Sequence, residues 1–303
     1  MDYHILLTND DGLHSAPFRA FWTGLMERKI GKVTVVVPEH EMSAAGKGIT
    51  LHKPLRIRKL PVKVRGFGYR EAFTVSGTPG DAVTVAVKYI MDSEPDVVVS
   101  GVNVGDNITL DNIFTSGTIA AALQGTIMGI TSSAFSVEIP AGQPSRPVDR
   151  FLPQARLAAI ITEWLVRKGL PEGVDLLNVN FPYKISEDTP IRVTRLARMK
   201  FENYVLERID TRGNPYYWLG GNPVPVTEKD RGTDLYALMV ERAVSITPIS
   251  LDLSVRELNC EELNRKRRRA LEEIASLVDQ LKGYLMDLTG KHSHVQEEET
   301  SSL

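Results

Sequence analysis

Two adjacent carboxylates lie close to the start of the chain, directly after an apolar stretch. Residues 3–8 are followed by Asn9, Asp10, Asp11 and Gly12, so the pair stands at the end of a predicted buried strand. At about 5 Å apart and an effective dielectric near 20, two such charges repel each other by roughly 3 kcal/mol. They therefore need a neutralising partner, and carboxylate, amide and hydroxyl oxygens are the ligands that hard divalent cations prefer.

Four further polar, glycine-bearing turns follow along the chain. They are Ser43 with Gly46-Lys47-Gly48, then Ser76 to Asp81, Ser100 to Asn107, and Thr115 to Thr118. Taken alone, each has an ordinary structural explanation as a turn, a helix cap or a site for positive φ. Helix N-termini also cradle phosphate groups, and a hard cation beside such a cradle is the apparatus of phosphate-ester hydrolysis. Because the turns coincide at the ends of predicted strands, the hydrolytic interpretation is favoured.

The predicted secondary structure places these turns at one edge of a sheet. Nearly continuous β-branched runs predict strands that are covered on both faces, and helical stretches separate several of them. The strand stretches are residues 3–9, 32–38, 72–77, 96–103, 132–137, 175–181 and 242–249, and the helical ones are about 17–29, 80–92, 117–129 and 152–168. This alternation predicts an α/β fold with a doubly wound, mostly parallel sheet. Ligands of such sheets bind beyond the carboxyl ends of the strands.

Two insertions and a C-terminal segment are added to this alternation. We predict one α/β domain over residues 1–250, with a basic, hairpin-like insertion at about 51–71 and an aromatic, Gly- and Pro-rich insertion at about 198–232. The second insertion fits a decorated loop, an oligomer contact or a substrate lid. Residues 251–303 are predicted to form a helical extension that ends, after Gly290, in a polar tail.

The predicted C-terminal helix carries an apolar stripe with the spacing of a coiled coil. Its members are Leu271, Ile274, Val278, Leu281, Leu285 and Leu288. Packing on its own domain and packing on another subunit both remain open. The basic run at 265–269 is expected to be a solvated helix face. His292 and His294 lie in the polar tail and are therefore poor candidates for metal ligands.

The composition excludes several classes of protein. The chain has 303 residues, with 36 basic and 38 acidic side chains, and its net charge of −2 gives no footprint for nucleic acid or an anionic membrane. Cys260 is the only cysteine, which excludes an intrachain disulfide framework and a multi-cysteine zinc cluster. The sequence shows neither a secretion signal nor an apolar run of about 18 residues. We therefore expect a cytoplasmic protein with no membrane or stable nucleic-acid partner.

The motifs of other phosphate-handling and hydrolytic proteins are absent from the sequence. It contains no P-loop, and no dinucleotide Gly-x-Gly-x-x-Gly follows the first strand. The adjacency of Asp10 and Asp11 rules out EF-hand spacing and the Asp-x-Asp of aspartyl-phosphate phosphatases. A Gly-x-Ser-x-Gly nucleophile elbow is also missing.

Five ordered segments and a later one resemble the survival protein SurE family of metal-dependent 5′/3′-nucleotidases. The segments are ILLTNDDG, VVVPEHEMSAAGKGIT, VSGTPGDAV, PDVVVSGVNVGDN and TSGTIAAA, and the later one is RGTDLYALMVERAVSITPI. The resemblance implies a three-layer α/β/α sandwich that forms a homodimer with exchanged C-terminal elements, or a homotetramer. It also implies hydrolysis of nucleoside monophosphates to nucleoside and phosphate, with polyphosphate cleavage in some members.

The resemblance also implies a set of site residues. By match of motif, one divalent cation per subunit, Mg²⁺ or Mn²⁺, is expected on Asp10, Asp11, Ser43 and Asn103. Asp10 or Asp11 is also expected to accept a proton from the attacking water. The phosphate oxygens are expected to contact Asn9, Ser76, Gly77, Thr78, Ser116, Gly117 and Thr118.

The chain departs from the family pattern at two places. Met42 stands where Arg is frequent, and Lys47-Gly48 stand where a His-Ser pair is frequent, and both changes bear on phosphate affinity and base preference. A nucleotide-binding regulatory module without turnover is the alternative function. A metal-dependent glycosyltransferase is a third hypothesis, because its acidic pair also holds a divalent ion.

Overall fold

A central sheet and the helices that cover it form the protein in the computed structural model, which describes residues 3–140, 147–253 and 260–300. The strands are β1 (Tyr3–Thr8), β2 (Gly31–Pro38), β3 (Ile57–Val64), β4 (Gly68–Val75), β5 (Val97–Val104), β6 (Ser132–Val137), β7 (Leu176–Phe181), β8 (Ile191–Val193), β9 (Phe201–Ile209), β10 (Pro215–Pro223) and β11 (Val244–Ile249). The helices are α1 (Ala16–Arg28), α2 (Pro79–Val85, continued by a π-helical turn Ala86–Ile90), α3 (Thr109–Thr115), α4 (Gly117–Ile127), α5 (Leu152–Lys168), α6 (Asp234–Met239) and α7 (Cys260–Thr300).

The main sheet confirms the predicted doubly wound topology. Its nine strands run in the order β3-β4-β2-β1-β5-β6-β7-β11-β8. The pairs from β4 to β7 are parallel, while β3–β4 and β7–β11 are antiparallel. The strand order therefore reverses at β1, beside which the acidic pair lies, and this reversal point is where ligands of such sheets bind.

Both faces of the sheet are buried, which explains the continuous apolar runs of its strands. Successive residues of β1 point to opposite faces, so that Ile5 and Leu7 join one cluster with residues of α1, α5 and α7. Leu6 joins another cluster with residues of α2 and α4. The molecule is therefore a three-layer α/β/α sandwich.

The two predicted insertions differ in how they attach to the sheet. The segment at 51–71 contains β3 and leads into β4, and these strands pair as the expected hairpin at the sheet edge. The segment at 198–232 forms a separate antiparallel ribbon of β9 and β10. Every residue of β9, and every residue of β10 except Gly220, is exposed. The aromatic insertion is thus an extended ribbon rather than an irregular loop.

Helix α7 packs on its own domain through the predicted stripe. Ile274, Val278, Leu281 and Leu285 are buried in the same cluster as β1. Leu271 is 48% exposed, and Leu277, fully buried, belongs to the stripe instead. The helix continues past Gly290, where a polar tail was predicted; the side chains of Leu288, His292 and His294 lie outside the described residues. None of the described helices is long and apolar enough to cross a membrane.

Candidate functional site

The turn after β1 holds the acidic pair at the carboxyl edge of the sheet. Asn9 closes this turn, because its Nδ2 donates to the Gly12 carbonyl at 2.9 Å and its Oδ1 accepts from the Gly12 N–H at 3.1 Å. Gly12 has a φ of +83°, which favours glycine at this position. The hydrogen bonds of Asn9 therefore lie within the turn, where they support Asp10 and Asp11.

Asp10 is almost completely buried, with 3% of its surface exposed. Its Oδ1 accepts a hydrogen bond from the hydroxyl of Thr118, and its carbonyl accepts from Met42 N–H at 2.9 Å. Burial raises the pKa of Asp10 to about 7, although the hydrogen bond from Thr118 opposes this rise, and the neighbouring Asp11 adds to it. Such a carboxylate is short of positive charge, which a bound cation would supply.

Asp11 connects the turn after β1 with the end of β5. Its Oδ2 accepts from Ser15 Oγ at 3.1 Å and from Val104 N–H at 3.0 Å. Burial raises its pKa, and the nearby Glu41 acts in the same direction. Because Val104 directly follows Asn103, the predicted neutral ligand is brought to the side of the acidic pair.

Asn103 is 8% exposed and uses only one end of its amide within the chain. Its Nδ2 donates to the Gly105 carbonyl at 2.9 Å. Its Oδ1 has no hydrogen bond from any residue that the structure describes, and a ligand oxygen for a cation requires such a free acceptor.

Ser43 lies in an exposed loop that packs against the acidic pair through its neighbour. Met42 donates to the Asp10 carbonyl, whereas the Ser43 hydroxyl donates to Glu41 Oε1 at 2.8 Å. Glu41 is a third carboxylate near the pair and was not predicted as part of the site. Its position two residues before Ser43 was the only feature of the sequence that could have indicated it. Ser43 is therefore near the acidic pair in the fold, with its hydroxyl used by Glu41.

The first turn of α4 packs directly on Asp10. Ser116 is the N-cap, and its Oγ accepts from Ile119 N–H at 3.2 Å, which leaves the hydroxyl proton available. A Cβ at Gly117 would stand 2.8 Å from both Cβ and Oδ2 of Asp10. Thr118 is fully buried and donates to Asp10. The cap interpretation of Ser116 is thus confirmed, and Thr118 contacts a carboxylate.

The turn at 76–78 makes different contacts. The Ser76 Oγ accepts from Arg56 N–H at 2.8 Å. Thr78 is the N-cap of α2, in a capping box with Asp81, and its hydroxyl donates to the Gly48 carbonyl at 2.7 Å. These contacts tie the turn to the loop that carries Gly48. Among the described residues none of them reaches Asp10 or Asp11.

Buried polar residues that were not predicted hold the loop after β5. Asn107 donates from its N–H to Asn180 Oδ1 at 2.7 Å, and its carbonyl accepts from Asn178 Nδ2 at 2.8 Å. Asp234 accepts from the N–H groups of Thr109 and Ala197 at 2.7 and 2.8 Å. Two asparagines at alternate positions of one buried strand were the available signal, because they point to the same face.

The donor set fits a hard cation better than a soft one. Among the described residues no three His, Cys, Asp or Glu side chains are arranged so that they could hold one metal ion together, so any cation would bind two carboxylates and neutral oxygens. Below the acidic pair, Thr8 and Ser100 face each other in register on β1 and β5. Their buried hydroxyls have no hydrogen-bond partner in the described structure. Oxygen-only sites of this kind suit Mg²⁺ or Mn²⁺.

Comparison with known proteins identifies the family. The sequence model of "Survival protein SurE" matches residues 5–203. The chain is 43% identical over 254 residues to the 5′-nucleotidase SurE of Hyperthermus butylicus, covering 84% of this chain and 86% of the relative. It is 46% identical over 251 residues to the 5′-nucleotidase SurE 1 of Thermus thermophilus, covering 82% and 92%. A crystal structure of the SurE protein from Aquifex aeolicus matches with a TM-score of 0.65 and 32% identity, over 86% of this chain and 97% of that one. The chain belongs to the survival protein SurE family.

Proposed function

We propose that this protein is a 5′-nucleotidase, which hydrolyses nucleoside monophosphates to nucleoside and inorganic phosphate beside Asp10 and Asp11. The close approach of α4 to Asp10 carries the proposal, since a Cβ at Gly117 would stand 2.8 Å from Asp10 Oδ2. Buried carboxylates favour a cation, and a helix N-terminus favours an anion. The substrate class is supported by the names of the related 5′-nucleotidases.

Nucleotidases of the SurE family are generally metal-dependent. We assign one divalent cation per subunit, Mg²⁺ or Mn²⁺, to Asp10, Asp11, Asn103 and Ser43, the last after its hydroxyl leaves Glu41. When bound, such a cation polarises a phosphoryl oxygen and lowers the pKa of a neighbouring water. Hydrogen bonds from Thr118 and from Val104 N–H fix the orientation of the two carboxylates.

The protein's own groups have separate tasks in the proposed reaction. Asp10 or Asp11 accepts a proton from the water that attacks phosphorus. As the new bond to phosphorus forms, the bond between phosphorus and the nucleoside oxygen breaks, and that oxygen takes up a proton from solvent to give the nucleoside hydroxyl. The Ser116 hydroxyl and the N–H of Gly117, the first residue of α4, are assigned to the phosphate oxygens, because this N–H has no partner within the helix. The next two N–H groups already face Asp10 and Ser116 Oγ. Asn9 and Thr78 are assigned supporting roles, because their side-chain polar groups are used within the chain, while the Ser76 hydroxyl accepts from Arg56 N–H and keeps its proton to donate.

Phosphate release from a panel of nucleoside monophosphates tests this function. Chelation of divalent cations should abolish release and added Mg²⁺ or Mn²⁺ should restore it, while Asp10→Asn should lower kcat/KM by about a hundredfold or more. Full activity after exhaustive chelation would contradict the mechanism. Nucleotide binding without release would support the regulatory module, and transfer from a nucleotide sugar would support the glycosyltransferase.

We also propose that the protein is a homo-oligomer, a dimer or a tetramer, and that the ribbon of β9 and β10 contributes to it. Val205, Trp218 and Leu219 of this ribbon are 62%, 61% and 84% exposed. Apolar surface of this extent on an extended ribbon is typical of a contact surface. Light scattering of the double variant Trp218→Ser, Leu219→Ser should show a smaller mass than that of the unmodified protein. A full-length protein that is monomeric at micromolar concentration would contradict the proposal.

A further inference from the structure

Lys47 is a half-buried cation without a polar partner in the described structure. Its ammonium group has no hydrogen bond or salt bridge to any residue that the structure describes, whereas Lys59 and Lys200 pair with Glu71 and Asp106 at 2.6 Å each. Burial lowers the pKa of Lys47, and Asp81 opposes this effect. A charge in this setting lacks the neutralisation that a bound anion would provide.

The backbone on both sides of Lys47 is held by two elements of the site. Gly46 N–H donates to the Thr115 carbonyl at 2.8 Å, directly before the N-cap of α4. Gly48 accepts from the Thr78 hydroxyl at 2.7 Å, at the N-cap of α2. Lys47 therefore lies on a bridge between the two helix starts, and its position relative to Ser116 is fixed by hydrogen bonds.

The side chain of Lys47 extends across the start of α2. Its Nζ would lie 3.5 Å from a Cβ at Gly80, an ordinary van der Waals distance, so the ammonium group lies beside the first turn of α2. Asp81 does not hold this position through an ion pair; its two oxygens accept from Thr50 N–H at 3.0 Å and from Thr78 N–H at 2.9 Å. No oxygen of Asp81 lies within salt-bridge distance of Lys47 in the described structure.

We propose that the Lys47 ammonium binds the phosphate group of the substrate, across the site from the first turn of α4. The proposal rests on the nucleotidase function and adds a residue that determines phosphate affinity. Lysine binds phosphate as a point charge, so it adds attraction without demanding one geometry.

Binding of inorganic phosphate to the metal-loaded protein tests the proposal without turnover. By calorimetry, Lys47→Met should raise the Kd for phosphate about tenfold, which is the lower range for a charge-assisted bond. Lys47→Arg should keep most of the affinity, since it keeps the charge. Lys53→Met, in an exposed position of the same loop, is the matched control and should bind as the unmodified protein does.

Steady-state kinetics then separates this proposal from the nucleotidase function. Lys47→Met should raise KM for a nucleoside monophosphate about tenfold, with kcat changed by less than about threefold, and should weaken the salt dependence of KM. A Lys47→Met variant that binds phosphate like Lys53→Met, or an unmodified protein that does not bind phosphate at millimolar concentration, overturns the role of Lys47. If the unmodified protein binds phosphate through Lys47 but releases none from nucleotides, the nucleotidase function fails and the role of Lys47 stands.

Discussion

The tripeptide Ser-Gly-Thr begins two helices of this protein, and its two copies make different contacts. At 76–78 the threonine is the N-cap of α2, whereas at 116–118 the serine is the N-cap of α4. The helix thus begins two residues earlier within the second copy. As a result, the hydroxyl of Thr78 caps a helix and contacts Gly48, while the hydroxyl of Thr118 reaches the carboxylate of Asp10.

The residues that follow each tripeptide account for this difference. After Thr78, Pro79 occupies the first helical position and Asp81 the third, where its carboxylate completes a capping box with Thr78. After Ser116 the third helical residue is Ile119, so the only side-chain cap comes from Ser116 itself. The contacts that the hydroxyl groups of this tripeptide can make therefore depend on the residue at which the helix begins, and the residues after the tripeptide determine that position.

Among the changes that compare the two tripeptides, the largest effect is expected from adding a methyl group at Gly117. Its Cβ would stand 2.8 Å from Asp10 and 2.9 Å from the Met42 carbonyl, so that Asp10 must shift. A misplacement of this size at reacting groups lowers kcat/KM by about a hundredfold, which we expect for Gly117→Ala in assays of phosphate release.

Gly77→Ala is the matched change in the other tripeptide. Its Cβ would meet Asp81 Oδ2 at 2.5 Å and Leu55 Cδ2 at 2.7 Å. We expect overpacking to lower stability by about 1–3 kcal/mol, with kcat/KM of the folded protein lowered less than about fivefold. Equal losses of kcat/KM in both variants would show that the two turns do not differ in function.

A smaller effect is expected from removing one hydroxyl in each turn. Thr118→Val deprives the buried Asp10 carboxylate of its side-chain hydrogen bond. Loss of a group that orients a metal ligand in this way typically lowers metal affinity or activity ten- to a hundredfold. We expect metal affinity, measured by titration calorimetry, to fall about tenfold, and Thr118→Ser to restore it. Thr78→Val should instead lower the melting temperature through loss of a cap of about 1 kcal/mol. Unchanged metal affinity in Thr118→Val would refute the orienting role.

The sheet was predictable from the sequence because its strands are long, apolar and β-branched. Strands β1, β2, β5, β6 and β7 begin and end within one residue or two of the predicted stretches. The ribbon of β9 and β10 was not predicted, since nearly all of its residues are exposed and it pairs with no other strand that the structure describes. The pattern of apolar residues along a sequence predicts a strand only where one or both faces of that strand are buried.

The site was predictable in its composition more than in its contacts. Asp10 and Asp11 are adjacent in sequence, so the repulsion between their carboxylates could be inferred without a structure. The partner of Asp10, Thr118, lies 108 positions away, and Asp234 contacts Thr109 across 125 positions. Hydrogen bonds over such distances depend on the packing of α4 and α6 on the sheet, which no local pattern in a single sequence encodes.

At Ser116 a cap and a proposed phosphate contact coincide on one oxygen. The Ser116 Oγ accepts from Ile119 N–H at 3.2 Å, and only its proton is left to donate to a phosphate. Ser116→Ala loses both, and we expect stability to fall by about 1 kcal/mol and kcat/KM about tenfold. Ser116→Asp separates the two roles, because aspartate is an equally good cap but offers the phosphate a negative charge and no donor. We therefore expect Ser116→Asp to keep the melting temperature of the unmodified protein while its kcat/KM falls at least as far as in Ser116→Ala. A lower melting temperature of Ser116→Ala with unchanged kcat/KM would leave Ser116 with the cap alone, and the phosphate would then contact only the first N–H of α4.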